Sequence, residues 1–197
     1  MDVGATLLDL GSVELPLDAT RLFGGSRPVE AELGVGKGRF LLAWAARHPE
    51  VGFIGVERAR KYLELTAIRS ARAGLTNVRL VHSTAEDLVF RCVRPGTLAA
   101  LHIYFPDPWP KRRHHKRRFF HPENVARLAA VLAPSGVLRI KTDHAGYAAV
   151  IAEVLAAEPR LAPIAVAEAF EEIPASNFEI KYAREARAVH RFAYCRV

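Results

Sequence analysis

The sequence predicts an α/β fold, a single doubly wound domain on a mostly parallel sheet with an antiparallel strand pair at its C-terminal end. Three observations predict it. From Val29 onward, short β-type runs alternate with amphipathic helical stretches, the pattern of parallel strands joined by crossover helices. The first clear strand closes in a glycine-rich turn, Gly34-Val35-Gly36-Lys37-Gly38, that opens a helix. The chain of 197 residues is long enough for one domain with a substantial core.

Each element follows in order. A strand over Val29–Leu33 leads through the glycine turn into a helix over Arg39–Arg47. Pro49 and Gly52 punctuate before a second strand, Phe53–Val56, and a helix over Ala59–Ala73 stops at Gly74, a residue suited to a C-terminal cap. Val78–His82 is the third strand. The fourth, Leu98–Phe105, is so continuously apolar that burial on both faces is expected. Pro106, Pro108 and Pro110 then impose a stiff irregular loop. A helix over Pro122–Leu132, a strand over Gly136–Thr142 and a helix over Tyr147–Ala157 follow. The β-type runs Ile164–Glu168 and Val189–Cys195 are expected to form the antiparallel pair. Residues 1–28 lack clear periodicity and are set apart as an N-terminal segment without an assigned fold, leaving 29–197 as the domain.

Composition narrows the function classes. No apolar run approaches the roughly 20 residues that span a bilayer. The start, Met1-Asp2-Val3, lacks a basic region followed by an apolar stretch, so no secretory leader is expected and the cytoplasm is the expected location. Cys92 and Cys195 match no metal-ligand spacing; no metal site is expected, and cysteines in apolar runs read as core. The formal charge is +7. Lys111 to Arg118 read K-R-R-H-H-K-R-R, and without this cluster the remainder is nearly neutral. A cationic strip of that kind suits a polyanion, because each contacted phosphate releases condensed counterions.

The glycine turn is bracketed by two acids. Glu32 precedes Gly34, where it is placed to meet a ligand's ammonium group, and Glu57 ends the second strand, where it is placed to accept from ribose hydroxyls. Glycines at every second position depart from the dinucleotide G-x-G-x-x-G spacing, and Lys37 belongs to no Walker-type G-K-[ST]. A ligand carrying both an ammonium and a ribose, without phosphates to cradle, is S-adenosylmethionine. A nicotinamide cofactor stays open on these residues alone.

The segment Phe105-Pro106-Asp107-Pro108-Trp109-Pro110-Lys111 leaves the end of the fourth strand beside that turn. Asp107, held between prolines, has a restricted backbone and an aimed carboxylate. Trp109 offers a face for stacking a base, and the cations that follow suit phosphates. An acid, an aromatic and a basic strip together suit a nucleotide within RNA.

These residues resemble a known family. ELGVGKG, FPDPWPKRRHHKRR, Lys141-Thr142-Asp143 and Ser176-Asn177-Phe178-Glu179 occur in order and together resemble the bacterial tRNA (guanine-N7-)-methyltransferases, over about Val29 to Val197. The resemblance implies a Rossmann-like class I S-adenosylmethionine-dependent fold and methylation of the variable-loop guanine of tRNA at N7. It implies cofactor contacts at Glu32, Gly34, Gly36, Gly38, Glu57, Thr84, Ala85 and Asp107, with Asp107 also catalytic. Lys111, Asp143 and Ser176, Asn177, Phe178 and Glu179 match substrate-binding positions. Arg112, Arg113, Lys116, Arg117 and Arg118 are expected to contact RNA phosphates. Ser176 keeps the hydroxyl of the usual threonine. Thr84 stands where relatives carry an acid, with Glu86 nearby as a substitute. Basic residues are sparse at the N-terminus, where Arg21 and Arg27 are the only ones before Glu30.

Guanine N7 has an in-plane lone pair and no proton to remove, so such an enzyme needs alignment and not a general base. The acids and glycines alone also fit a same-fold methyltransferase acting on another RNA or a basic protein, or a non-catalytic RNA-binding module with a decayed pocket. Monomer and homodimer both suit this fold class.

Overall fold

The computed structural model describes residue 4 and residues 6–197; Met1–Val3, read above for a leader, lie outside the described residues. In chain order, the elements begin with β1 (Leu7–Leu8), α1 (Ala19–Phe23), β2 (Val29–Leu33), α2 (Arg39–Arg47), β3 (Gly52–Glu57) and α3 (Arg60–Arg72). They continue with β4 (Val78–His82), α4 (Ala85–Asp87), β5 (Leu98–Tyr104), α5 (Pro122–Val131), β6 (Leu132–Thr142) and α6 (Ala145–Ala156). The chain closes with β7 (Leu161–Pro163), α7 (Val166–Phe170), α8 (Asn177–Arg184) and β8 (His190–Arg196). A wider turn over Leu88–Cys92 extends α4, and a 3-10 helix spans Arg112–Arg117.

All eight strands form one sheet in the order β1-β4-β3-β2-β5-β6-β8-β7. Pairing is parallel from β1 to β6, and β8 runs antiparallel to both β6 and β7. The order reverses between β2 and β5, so the ends of these two strands open a crevice for a ligand. Both strands carry the segments singled out in the sequence: the glycine turn follows β2 and the proline loop follows β5.

The two faces of the sheet differ. Ala31 and Leu33 of β2, Leu101 and Ile103 of β5, and Leu138 and Ile140 of β6 enter one apolar core with Val125, Leu128, Tyr147 and Ile151 of α5 and α6. Alternation puts Glu30 and Glu32, His102 and Tyr104, and Arg139 and Lys141 on the other face. There His102 Nε2 lies 2.8 Å from Glu30 and its Nδ1 2.9 Å from the Tyr104 hydroxyl, while Trp44 of α2 donates to Glu30 at 2.9 Å. Burial pushes the His102 imidazole below its usual pKa despite the Glu30 carboxylate. The central strands thus hold a greasy face and a hydrogen-bonded polar face.

Two expectations change. Strand character extends over Leu161–Pro163 instead of Ile164–Glu168, and Val166–Phe170 is a helix. Pro163 ends the ladder on β7, and the Ala- and Glu-containing stretch after it has better helix formers than strand formers. The N-terminal segment, left without a fold, supplies β1 at the sheet edge and α1, whose Phe23 is buried in the main core together with Leu17. Cys92 is buried and Cys195 half-buried. Among the described residues no helix is long and apolar enough to cross a membrane.

One buried amide fixes the α2–β3 connection. Asn77 Nδ2 donates to the carbonyls of Ala45, His48 and Val51 at 2.9–3.0 Å. Asn77→Ala leaves these acceptors short of a donor and is expected to cost about 1–3 kcal/mol, read as a lower urea midpoint at an unchanged m-value; an unchanged midpoint contradicts this role.

Candidate functional site

The glycine turn is built around backbone shape. Gly34 has φ +86°, a Cβ there would meet nothing within 4 Å, and it lines the cavity, so the backbone is open to approach at this point. Gly38, the N-cap of α2, has φ +74°, and an added Cβ would lie 2.4 Å from Thr66 of α3. Only glycine permits both that conformation and that packing.

Glu57 organises the turn. Its Oε2 accepts the Gly36 N–H at 2.9 Å and its Oε1 accepts the Ala59 N–H at 2.7 Å. A single carboxylate therefore ties the glycine turn to the entry of α3. Each oxygen retains lone-pair capacity toward the cavity that Glu57 lines. Thr66 Oγ1 reinforces the arrangement by donating to the Gly36 carbonyl at 3.0 Å.

Glu32 lies beneath the turn, at the end of β2. It is 4% exposed and is absent from the cavity lining, whereas Leu33 and Gly34 beside it are present. Its Oε2 has no hydrogen-bond partner among the described residues. Burial pushes its carboxyl up to about 8; the Leu41 N–H in the first turn of α2 opposes the rise, the Glu57 charge adds to it, and Lys141 opposes it. Gly38 offers α2 no side-chain cap, so Glu32 faces that helix start from beneath the turn.

The cavity measures about 590 Å³, within the range of small-molecule sites. One wall holds Leu33, Gly34, Val56, Glu57, Arg58, Ala59, Tyr62 and Ser83 to Glu86; the other holds Ile103 to Asp107, Trp109, Arg117, Phe119 and Phe178. Thr84, Ala85 and Glu86 thus sit together on the first wall. The Thr84 hydroxyl accepts the Asp87 N–H at 3.0 Å as the N-cap of α4. It keeps the capping function that an aspartate would serve, without the charge.

The proline loop carries backbone strain. Phe105 and Trp109 have φ of +56° and +43°, values that are costly for bulky residues and cluster at functional sites. Asp107 is exposed, lines the cavity and has no hydrogen bond or ion pair among the described residues. Its carboxylate is free to meet a ligand. Trp109 is already stacked: the Arg117 guanidinium lies 5.0 Å from its ring centroid, and His114 meets it edge-on. Arg118 Nε donates to the Pro108 carbonyl at 2.8 Å, and its guanidinium covers Tyr147. Arg118 therefore braces the loop, while Lys111, Arg112, Arg113, Lys116 and Arg117 are exposed without carboxylate partners.

The Ser176–Glu179 segment forms a capping box at the start of α8. Glu179 Oε2 meets Lys141 Nζ at 2.8 Å and the Ser176 N–H at 2.9 Å, and its Oε1 lies 3.3 Å from Arg191. Although burial opposes its charge, Lys141 holds the Glu179 carboxyl below its usual range, with Ser176 and Arg191 assisting. Lys141 is 2% exposed and lies over the rings of Tyr104 and Phe170. Glu179 is thus an anchor. It seats α8 so that Phe178, stacked with Phe105 and Tyr182, reaches the cavity. Asn177 is exposed, and Asp143 is ion-paired to Arg187 at 2.7 Å; neither lines the cavity.

Sequence reasoning missed Lys141, Tyr62 and Arg58. A lysine in the strand run Leu138-Arg139-Ile140-Lys141 was the available signal for the first. The other two gave none, because their place at the cavity depends on how α3 docks. Cys92 is unsuited to nucleophilic work, since burial pushes its thiol up.

Glu32 gives a pH-dependent prediction. A carboxyl whose pKa rises from 4.5 to about 8 on folding costs stability as pH rises from the lower value, in full above the higher one. Glu32→Gln removes that cost. Urea unfolding of the variant is expected to show a larger gain over wild type at pH 8.5 than at pH 5; equal gains at both contradict the assignment.

A family model described as a putative methyltransferase matches residues 26–192. The chain is 42% identical over 189 residues to the tRNA (guanine-N(7)-)-methyltransferase of Mycobacterium avium strain 104, covering 92% of this chain and 71% of that one. It is 38% identical over 194 residues to the protein of the same name from Nocardia farcinica, covering 92% and 72%. The protein of that name from Alkalilimnicola ehrlichii is 37% identical over 182 residues, covering 91% and 77%. Among solved structures, the 16S rRNA methyltransferase KamB superposes with a TM-score of 0.62 at 16% identity, covering 89% of this chain and 91% of that one. The aminoglycoside resistance methyltransferase NpmB1 gives 0.57 at 17% identity, covering 89% and 90%. These two share the class I methyltransferase fold.

Proposed function

The chain belongs to the tRNA (guanine-N(7)-)-methyltransferase family, and we propose that its cavity positions N7 of a variable-loop guanine in tRNA for methylation. The observation that carries this reading is a single cavity with Gly34 and Glu57 on one wall and a free Asp107 on the other.

The first wall fits S-adenosylmethionine. Gly34 gives an open approach, Glu57 has acceptor capacity beyond its two backbone partners, and the orphaned Glu32 oxygen lies below the turn in a region that gains from added positive charge. Leu33, Val56 and Ile103 supply apolar contact. Glu57 would take the ribose hydroxyls, Thr84 and Ala85 the adenine side, and the backbone at Gly34 to Gly38 the amino-acid portion. When bound, this cofactor supplies an electrophilic methyl group.

The second wall holds the base. N7 needs no deprotonation, so what the chain provides is alignment, which is worth about 7–11 kcal/mol where geometry is good. Asp107 accepts hydrogen bonds from the guanine N1–H and N2 amino edge, and its negative charge stabilises the cationic purine that N7-alkylation creates. Phe178 and the Arg117-covered Trp109 offer flat surfaces on this wall. Lys111, Arg112, Arg113 and Lys116 hold phosphates and position the RNA without reading its sequence. Asp143 and Glu179 act from behind this wall.

The test is transfer of labelled methyl to unmodified tRNA transcripts, each paired with a transcript lacking the variable-loop guanine, with products read by borohydride–aniline cleavage. Label and cleavage that depend on that guanine are expected. Label without cleavage contradicts the N7 assignment. Asp107→Asn is expected to lower kcat at least tenfold, about 1.4 kcal/mol; retention of more than a tenth of wild-type turnover contradicts the electrostatic role.

A further inference from the structure

The near-neutral charge outside Lys111–Arg118 conceals a second cationic surface. On α3, Lys61, Leu65, Arg69 and Arg72 follow at spacings of four, four and three residues, which places them on one helical face. The buried residues of the helix, Leu63, Thr66, Ala67 and Ser70, occupy the opposite side. Arg58 precedes the helix and lines the cavity with Tyr62, and Lys37, from the glycine turn, lies 5.9 Å from the Tyr62 ring. Arg69 donates to the Lys37 carbonyl at 2.8 Å, which joins helix and turn.

All five cations are exposed, and among the described residues none has a carboxylate within ion-pair distance. The one acid on the exposed part of this helix, Glu64, is held by Arg60 at 2.8 Å, away from the face. The opposing charge lies elsewhere in the sequence: the stretch 153–185 carries Glu153, Glu158, Glu168, Glu171, Glu172, Glu179 and Glu185.

Position gives this face its meaning. Arg58 and Tyr62 line the cavity that Arg117 and Trp109 line from the loop side. From that mouth the helix runs about 20 Å to Arg72. We propose that the α3 face, Arg58, Lys61, Arg69 and Arg72 with Lys37, is a second phosphate track that holds the tRNA backbone on the cofactor side of the cavity. The loop cluster holds it on the other side. This rests on the tRNA reading above. Two tracks meeting at one mouth straddle the RNA segment that enters it, so the scarcity of cations in the N-terminal segment is met from within the domain. Exposed ammonium and guanidinium groups without carboxylate partners among the described residues suit phosphates, and phosphate contacts position a nucleic acid without reading its sequence.

The test uses Lys61→Gln/Arg72→Gln, whose side chains are exposed and have no partners among the described residues, and a triple variant that adds Arg69→Gln. Arg60→Gln, on the same helix but off the face, is the matched control. Equilibrium binding of unmodified tRNA transcript is measured from 50 to 300 mM salt, together with methyl-transfer kinetics and S-adenosylmethionine affinity. The double variant is expected to reduce the slope of log K against log salt by about one to two. It is also expected to raise KM for tRNA several-fold, with kcat at saturating tRNA and cofactor affinity as in wild type. A slope and KM equal to those of Arg60→Gln overturn the proposal. Should the wild type bind tRNA yet transfer no label, the methyltransferase reading fails, and the salt slope still decides for or against the face.

Discussion

The site depends on one carboxylate. Glu57 spends both oxygens on backbone N–H groups, Gly36 on one side and Ala59 on the other, and so fixes two chain reversals at the ends of adjacent strands. With the Gly34 and Val35 N–H groups on the Val56 carbonyl and Thr66 on the Gly36 carbonyl, it selects one conformation for three residues with positive φ, Gly34, Gly36 and Gly38, where glycine is otherwise free in every alternative. Charge-assisted hydrogen bonds to backbone are about twice as strong as neutral ones. That strength is placed where the chain is otherwise most free, and it leaves the carboxylate facing a cavity.

The opposite wall is held by other means. The loop after β5 is stiffened by three prolines and braced by Arg118 on the Pro108 carbonyl, and Phe105 is packed against Phe178 and Tyr182. Behind it the Lys141–Glu179 pair fastens α8 to the sheet. Burying such a pair is of uncertain net value to stability, but removing one partner is costly, so its value lies in where it puts α8. Apolar clusters on both faces of the sheet supply stability, while the polar groups of β2, β5 and β6 help position the groups that shape the cavity. Asp107 is left exposed between these braced parts, with no hydrogen bond or ion pair among the described residues.

Much of this was legible in the sequence. The central strands announce themselves as short β-type runs, alternating apolar and polar in β2 and nearly unbroken apolar in β5, and the turns on either side of α2 are punctuated by glycine and proline. The identities of Glu57 and Asp107 followed from where strands end. What was hidden is non-local. β1 is two residues long and owes its existence to β4, far along the chain. Glu179 reads as part of a contact motif, yet its partner Lys141 is 38 positions away. Glu32 reads as an acid beside the turn, but its burial and its unpartnered oxygen follow from how α2 docks on the sheet. The cationic face of α3 was readable as helical spacing, but a net charge summed over the chain cancels it against acids placed elsewhere.

The most direct test of the central claim is calorimetric titration of S-adenosylmethionine into wild type and Glu57→Gln. Glutamine keeps one acceptor oxygen but turns an amide N–H₂ toward a backbone N–H that needs an acceptor, which loosens the turn on one side. Affinity is expected to fall at least tenfold, about 1.4 kcal/mol, with overall folding retained by circular dichroism. An unchanged affinity in a folded variant would contradict the account, because the cofactor wall would then be organised by something other than Glu57.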